Sequence, residues 1–112
     1  MRPESENDPA LLIDIRQACE EVVAFTGNVT QREYASNKMM RRAVERLVEI
    51  IDEAATHLSS EFREKHPGIP WRQIIGQRNV LAHDYGEILD DRMYSVATTK
   101  IPELPKKFNR PE

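Results

Sequence analysis

Apolar residues recur along this chain at three- and four-residue spacings, and no stretch of useful length alternates with the two-residue period of a strand. Leu11, Leu12, Ile15, Ala18, Val22 and Phe25 form the first such stripe, with Asp8-Pro9 as its N-cap and first-turn proline and Gly27-Asn28 as its end. Thr30-Gln31-Arg32-Glu33 has the capping-box pattern and opens a short second helix. From about Asn37 to Leu58 a longer helix is predicted, its stripe made by Met40, Val44, Leu47, Val48, Ile51, Ala54, Ala55 and Leu58. Ser59 to Lys65 adds a turn or two before His66-Pro67-Gly68 breaks it. Pro70 opens the next helix, and Asp90 caps a last one carrying Met93, Val96 and Ala97, which must stop by Pro102. The pattern predicts an all-α, mostly antiparallel bundle of four to five helices, a single domain over 1–112, with 102–112 as a surface tail.

One position breaks the apolar logic. In the helix opened by Pro70, Trp71, Ile74, Ile75, Leu81, Ala82 and Tyr85 share a stripe, and Arg78 falls in the middle of it. An unpaired buried guanidinium is costly, so Arg78 must meet a carboxylate, an interface or an anionic ligand such as a phosphate. Glu49 or Glu53 could supply that carboxylate. His83, five residues on, could converge with Arg78 on one target or simply cap the helix C-terminus. Tyr85 read alone is a core-edge aromatic.

Composition narrows the options. With 112 residues the chain can bury one core, and association with a partner helps a domain this small. The net charge of -3, from 16 Lys and Arg against 19 Asp and Glu, provides no global field to hold nucleic acid, so any RNA contact must be local. Lys38, Arg41, Arg42 and Arg46 are the best candidates for such a strip, although Glu45 and Glu49 between them make an ion-paired solvated face the default. The single cysteine, Cys19, excludes an internal disulfide and reads as a small buried hydrophobe. His57 and His66 read as surface or packing residues, and no convincing metal cluster is spelled out. There is no membrane-length apolar run and no signal-peptide core in Met1-Arg2-Pro3-Glu4-Ser5-Glu6, so a cytoplasmic protein is expected.

The stretch from Ile69 to Tyr85, with its Pro70-Trp71 pair, Gly76, Arg78-Asn79, His83 and Tyr85, resembles the signature region of the HepT-like HEPN proteins, toxins of HEPN/MNT toxin-antitoxin systems. Their motif is Arg, four residues, His, one residue, Tyr, and Arg78, His83 and Tyr85 match it. The likeness continues through Leu12-Ile13-Asp14-Ile15, Val44 to Ile51 and Glu61 to Pro67. It departs at Asp52, where the family often has glycine, which bears on local helix packing.

The resemblance implies a homodimer in which two motifs line one cleft and act as a metal-independent endoribonuclease, with the ribose 2'-hydroxyl as nucleophile and no cofactor. It implies His83 as general acid or base, Arg78 as stabiliser of the phosphorane, and Asn79, four residues before His83, as a group that orients the imidazole or bonds the ribose. It further implies that a cognate MNT-type nucleotidyltransferase antitoxin silences the enzyme by transferring AMP to Tyr85. A different class also fits these residues, a non-catalytic nucleotide-binding partner subunit of a minimal nucleotidyltransferase.

Overall fold

The computed structural model describes residues 4–71 and 93–108. Every regular element among these is helical, in agreement with the all-α bundle expected from the pattern. A 3-10 turn, Glu4–Asn7, leads into α1, Asp8–Thr26, followed by α2, Gln31–Ser36, α3, Lys38–His57, and α4, Ser60–Lys65. A π-helical turn, Val96–Lys100, and α5, Leu104–Phe108, complete the described chain.

Local chemistry sets the helix boundaries. Thr30 accepts from the Glu33 amide at 3.1 Å while the Glu33 carboxylate accepts from the Thr30 amide at 3.0 Å, so the expected capping box is present. Asn37 caps α3 by accepting from the Met40 amide at 3.0 Å, and Ser59 caps α4 by accepting from Phe62 at 3.0 Å. Gly27 closes α1 in a right-handed conformation, its amide donating to Val23 at 2.8 Å. A Cβ at Gly27 would lie 2.9 Å from that same carbonyl, which explains the residue choice.

The core forms where α1 and α3 face each other. Ile15, Ala18, Cys19 and Val22 meet the α3 stripe of Val44, Leu47, Val48, Ile51, Ala54, Ala55 and Leu58, all buried. Each large aliphatic side chain in that seam contributes about 1.5–3 kcal/mol by leaving water. Tyr34 of α2 is fully buried and packs on Tyr94, whose hydroxyl donates to the Val29 carbonyl at 2.5 Å.

Three expectations are corrected. Asp8 lies inside α1 rather than capping it; Asn7 holds the cap position, and the Asp8 carboxylate instead accepts from the Ser59 amide at 2.9 Å and the Ser59 hydroxyl at 2.6 Å. Phe25, at the flank of the α1 stripe, is 43% exposed. The segment after Pro102 is no surface tail as far as it is described, because Leu104 and Phe108 are buried in the core. Pro102 cannot donate to a helical ladder, and just before it the helix widens, with Thr98 and Thr99 donating back to Tyr94 and Ser95 at 2.8 and 2.5 Å. The widened turn closes through the Ile101 amide on Val96, and Met93, Ala97, Ile101, Leu104 and Phe108 all point inward.

Candidate functional site

Arg78, Asn79, His83 and Tyr85, the residues on which the sequence reading rests, lie outside the described residues, as does Asp90. What is described is the approach to them, from α4 to Trp71. The approach is anchored by Asp8, which grips Ser59 and so fixes the start of α4. Arg63 reaches back to the carbonyls of Leu58 and Thr56 at 3.1 and 2.9 Å, satisfying two acceptors at the C-terminal end of α3.

At the far end of α4 the chain turns on His66. Its Nδ1 lies 3.0 Å from the Phe62 carbonyl, and because a carbonyl only accepts, that nitrogen carries the proton. The ring stacks on Phe62 with centroids 4.2 Å apart, which makes His66 a packing residue, as the sequence suggested; His57 is exposed. Trp71 donates its indole N–H to the His66 carbonyl at 3.1 Å and its amide to Ile69 at 2.8 Å. Phe62, Trp71 and Phe108 then form a closed triangle of rings with centroid distances of 6.0 to 6.3 Å. Sequence reasoning missed this cluster, since its members come from three separate elements.

The charged groups are arranged as follows. Arg42 and Arg46 pair with Glu45 and Glu49 at 2.9 and 3.3 Å on the outer face of α3, the ion-paired face taken as the default. Glu49 is thus engaged by Arg46 and Glu53 is exposed, so neither carboxylate named as a structural partner for Arg78 points into the core. The buried carboxylate of α3 is Asp52, only 1% exposed, at the position where the sequence departs from the family's glycine. Its signal was available: a charged residue next to Ile51 in the apolar stripe. An open groove on α1 is lined by Gln17, Glu20, Glu21 and Ala24, whose carboxylates repel a phosphate chain.

Among the described residues no three His, Cys, Asp or Glu side chains converge on a metal position. Burial, aided by the nearby Glu20 charge, pushes the Cys19 thiol up to about 12, far from the range of a nucleophilic cysteine. Among the described residues no helix is long and apolar enough to cross a membrane.

A family profile described as "Ribonuclease HepT-like" matches residues 15–110, a span that includes the whole motif. The chain is 37% identical over 98 residues to a Methanocaldococcus jannaschii protein provisionally named an RNase, covering 88% of this chain and 90% of the relative. A second provisionally named RNase of that organism is 34% identical over 101 residues, with 90% and 84% covered. A Thermococcus cleftensis protein, provisionally named ribonuclease HepT, is 32% identical over 99 residues, with 88% and 90% covered. No solved structure matches the chain.

Proposed function

The chain belongs to the ribonuclease HepT-like family and is an endoribonuclease of that kind, and from this premise we propose the chemistry by which it cuts RNA. The observation that carries the proposal is the motif spacing, Arg78, four residues, His83, one residue, Tyr85, within the matched span. His83 takes the proton of a ribose 2'-hydroxyl, whose oxygen attacks the adjacent phosphorus. The bond to the 5'-oxygen breaks, that oxygen takes up a proton, and the products are a 2',3'-cyclic phosphate and a 5'-hydroxyl. An imidazole titrating near neutrality suits both transfers, a role worth about 10² to 10⁴ in rate. Arg78, permanently charged and planar, faces the negative charge that grows on the phosphorane. Asn79 orients the imidazole or bonds the ribose. Since His83 and Arg78 supply proton transfer and charge neutralisation, the step needs no metal or cofactor, and DNA is refused because it lacks the nucleophile.

Two further parts belong to this reading. Two copies pair so that their motifs share a cleft, which gives Arg78 a polar setting despite its apolar stripe. A cognate MNT-type nucleotidyltransferase transfers AMP to Tyr85, and the added phosphodiester occupies the place of the substrate phosphate beside Arg78.

The test is purified protein with labelled single-stranded RNA. Arg78→Ala and His83→Ala each abolish cleavage while retaining the helical circular-dichroism signal, EDTA has no effect, and products end in a cyclic phosphate. Cleavage of an all-2'-deoxy substrate, or loss of activity with EDTA, overturns the mechanism. A wild-type chain that binds nucleotide and a nucleotidyltransferase yet cuts nothing establishes the alternative, a non-catalytic partner subunit.

A further inference from the structure

The C-terminal helix returns to the approach of the motif segment and seats one ring there. Phe108 lies nearly parallel to Trp71, with centroids 6.3 Å apart and planes at 14°, while Phe62 sets its edge against both, at 6.1 Å and 73° to Trp71 and 6.0 Å and 68° to Phe108. Trp71 is further tied through its indole N–H to the His66 carbonyl. A residue of the last helix, a residue of α4 and the residue from which the chain runs on toward Arg78 and His83 therefore form one packed unit. Phe108 is 7% exposed, and it gets there because the widened turn before Pro102 and the short α5 bring it inward.

We infer that Phe108 is a positioning residue for RNA cleavage: by stacking on Trp71 it fixes where the motif-bearing segment begins. The inference rests on the ribonuclease reading of Arg78 and His83. In sequence Arg78 follows Trp71 by seven residues and His83 by twelve, and on the single helix that the apolar spacing after Pro70 predicts, a tilt at Trp71 carries forward to both. Proton transfer and phosphorane stabilisation tolerate little misplacement, and an error of about 1 Å originating far from the chemistry can cost about 10²-fold in rate. A ring that sets orientation acts on turnover more than on substrate affinity, because phosphate and base contacts along the RNA are shared by ground and transition states.

The experiment compares Phe108→Leu, which keeps apolar bulk without a ring, Phe108→Tyr, which keeps the ring, and Leu104→Ala, which deletes buried volume from the same helix outside the ring cluster. Initial rates on a labelled single-stranded RNA give kcat and KM, and thermal midpoints grade the stability lost. Trp71 is the only tryptophan, so intrinsic fluorescence reports its surroundings directly. The expected result is a kcat lowered about 10-fold or more in Phe108→Leu, with KM within about threefold, a shifted Trp71 emission, and recovery of kcat in Phe108→Tyr. Leu104→Ala keeps kcat at a temperature where it is folded, although its midpoint falls. If Phe108→Leu cuts at the wild-type rate, or if kcat follows midpoint alike in the Phe108 and Leu104 variants, Phe108 is a packing residue only and the inference is overturned. A wild type that cuts no RNA overturns the ribonuclease reading itself, and this inference with it; the two failures are thus told apart by the wild-type rate.

Discussion

Asp8 shows how much a single side chain can organise at the residue scale. Both of its carboxylate oxygens are engaged by Ser59, which is fully buried and in turn caps α4, so one group links the start of α1 to the helix leading to the motif. Asp8→Ala leaves the Ser59 amide and hydroxyl buried without their acceptor, and hydrogen bonds to a charged group are worth about 1.5–3 kcal/mol each. Chemical denaturation is expected to show a loss of roughly 2–4 kcal/mol, with Asp8→Ala and Ser59→Ala less than additive because they break the same unit. Cys19 carries a second expectation. Its thiol stays protonated in the fold to about 12, so a disulfide exchange reagent at pH 8 should label the native protein only as fast as it opens, and the denatured protein at once. Above the ordinary thiol value of 9.0 the unfolded chain gives up this proton while the folded chain keeps it, so Cys19 favours the unfolded state increasingly as pH rises through that window. Replacing Cys19 with alanine should flatten that part of the stability profile.

At the scale of elements the capping box of α2 is the simplest case to test. Thr30→Ala removes the acceptor for the Glu33 amide and is expected to cost about 1 kcal/mol in denaturant titration. The Glu33 carboxyl is held below the ordinary carboxylate range by the Thr30 backbone N–H and then by the Thr30 side chain. Its support is therefore present above that range and disappears as pH falls through the lowered value, so the gap in thermal midpoint between wild type and Glu33→Gln should close in acid. Local signals of this kind are why α1 to α4 could be read from sequence. Thr30, Asn37, Ser59 and Gly27 act within a few residues of themselves, and the α3 stripe repeats over five turns. The illegible parts depend on distant partners. Nothing near Phe25 says that its flank of α1 is left open, and nothing near Phe108 says that Phe62 and Trp71 wait for it. The candidate catalytic set rests on sequence alone, where Arg78 contradicts its own apolar stripe and the Arg78, His83 and Tyr85 spacing matches the family motif; its residues lie outside the described ones. Asp52 lay between these cases: its register, four residues after Val48 and three before Ala55, sets it on the buried face, yet it stood out only as a departure from glycine.

For the whole molecule the proposed function makes Tyr85 the point at which a second protein controls the first. One residue separates it from His83 in sequence, so under that proposal a group added to its hydroxyl sits beside the same phosphate-binding arginine that the cleavage step uses. Pairing of two copies is the first consequence to check: sedimentation at micromolar concentration should give a dimer, and a well-folded monomer there removes the shared cleft from the proposal. Tyr85→Phe deletes only the hydroxyl, and should therefore leave folding, pairing and much of the RNA cleavage intact. It should escape a cognate nucleotidyltransferase supplied with ATP, whereas the wild type loses activity. Intact mass after coexpression decides between modification and occlusion, because AMP transfer adds mass in nucleotide-sized steps to the wild type and none to the variant. Equal modification of both proteins places the acceptor elsewhere. Inhibition of the wild type without added mass means that the partner blocks the cleft by binding, and the arginine that draws in RNA phosphate would then have to be covered rather than neutralised.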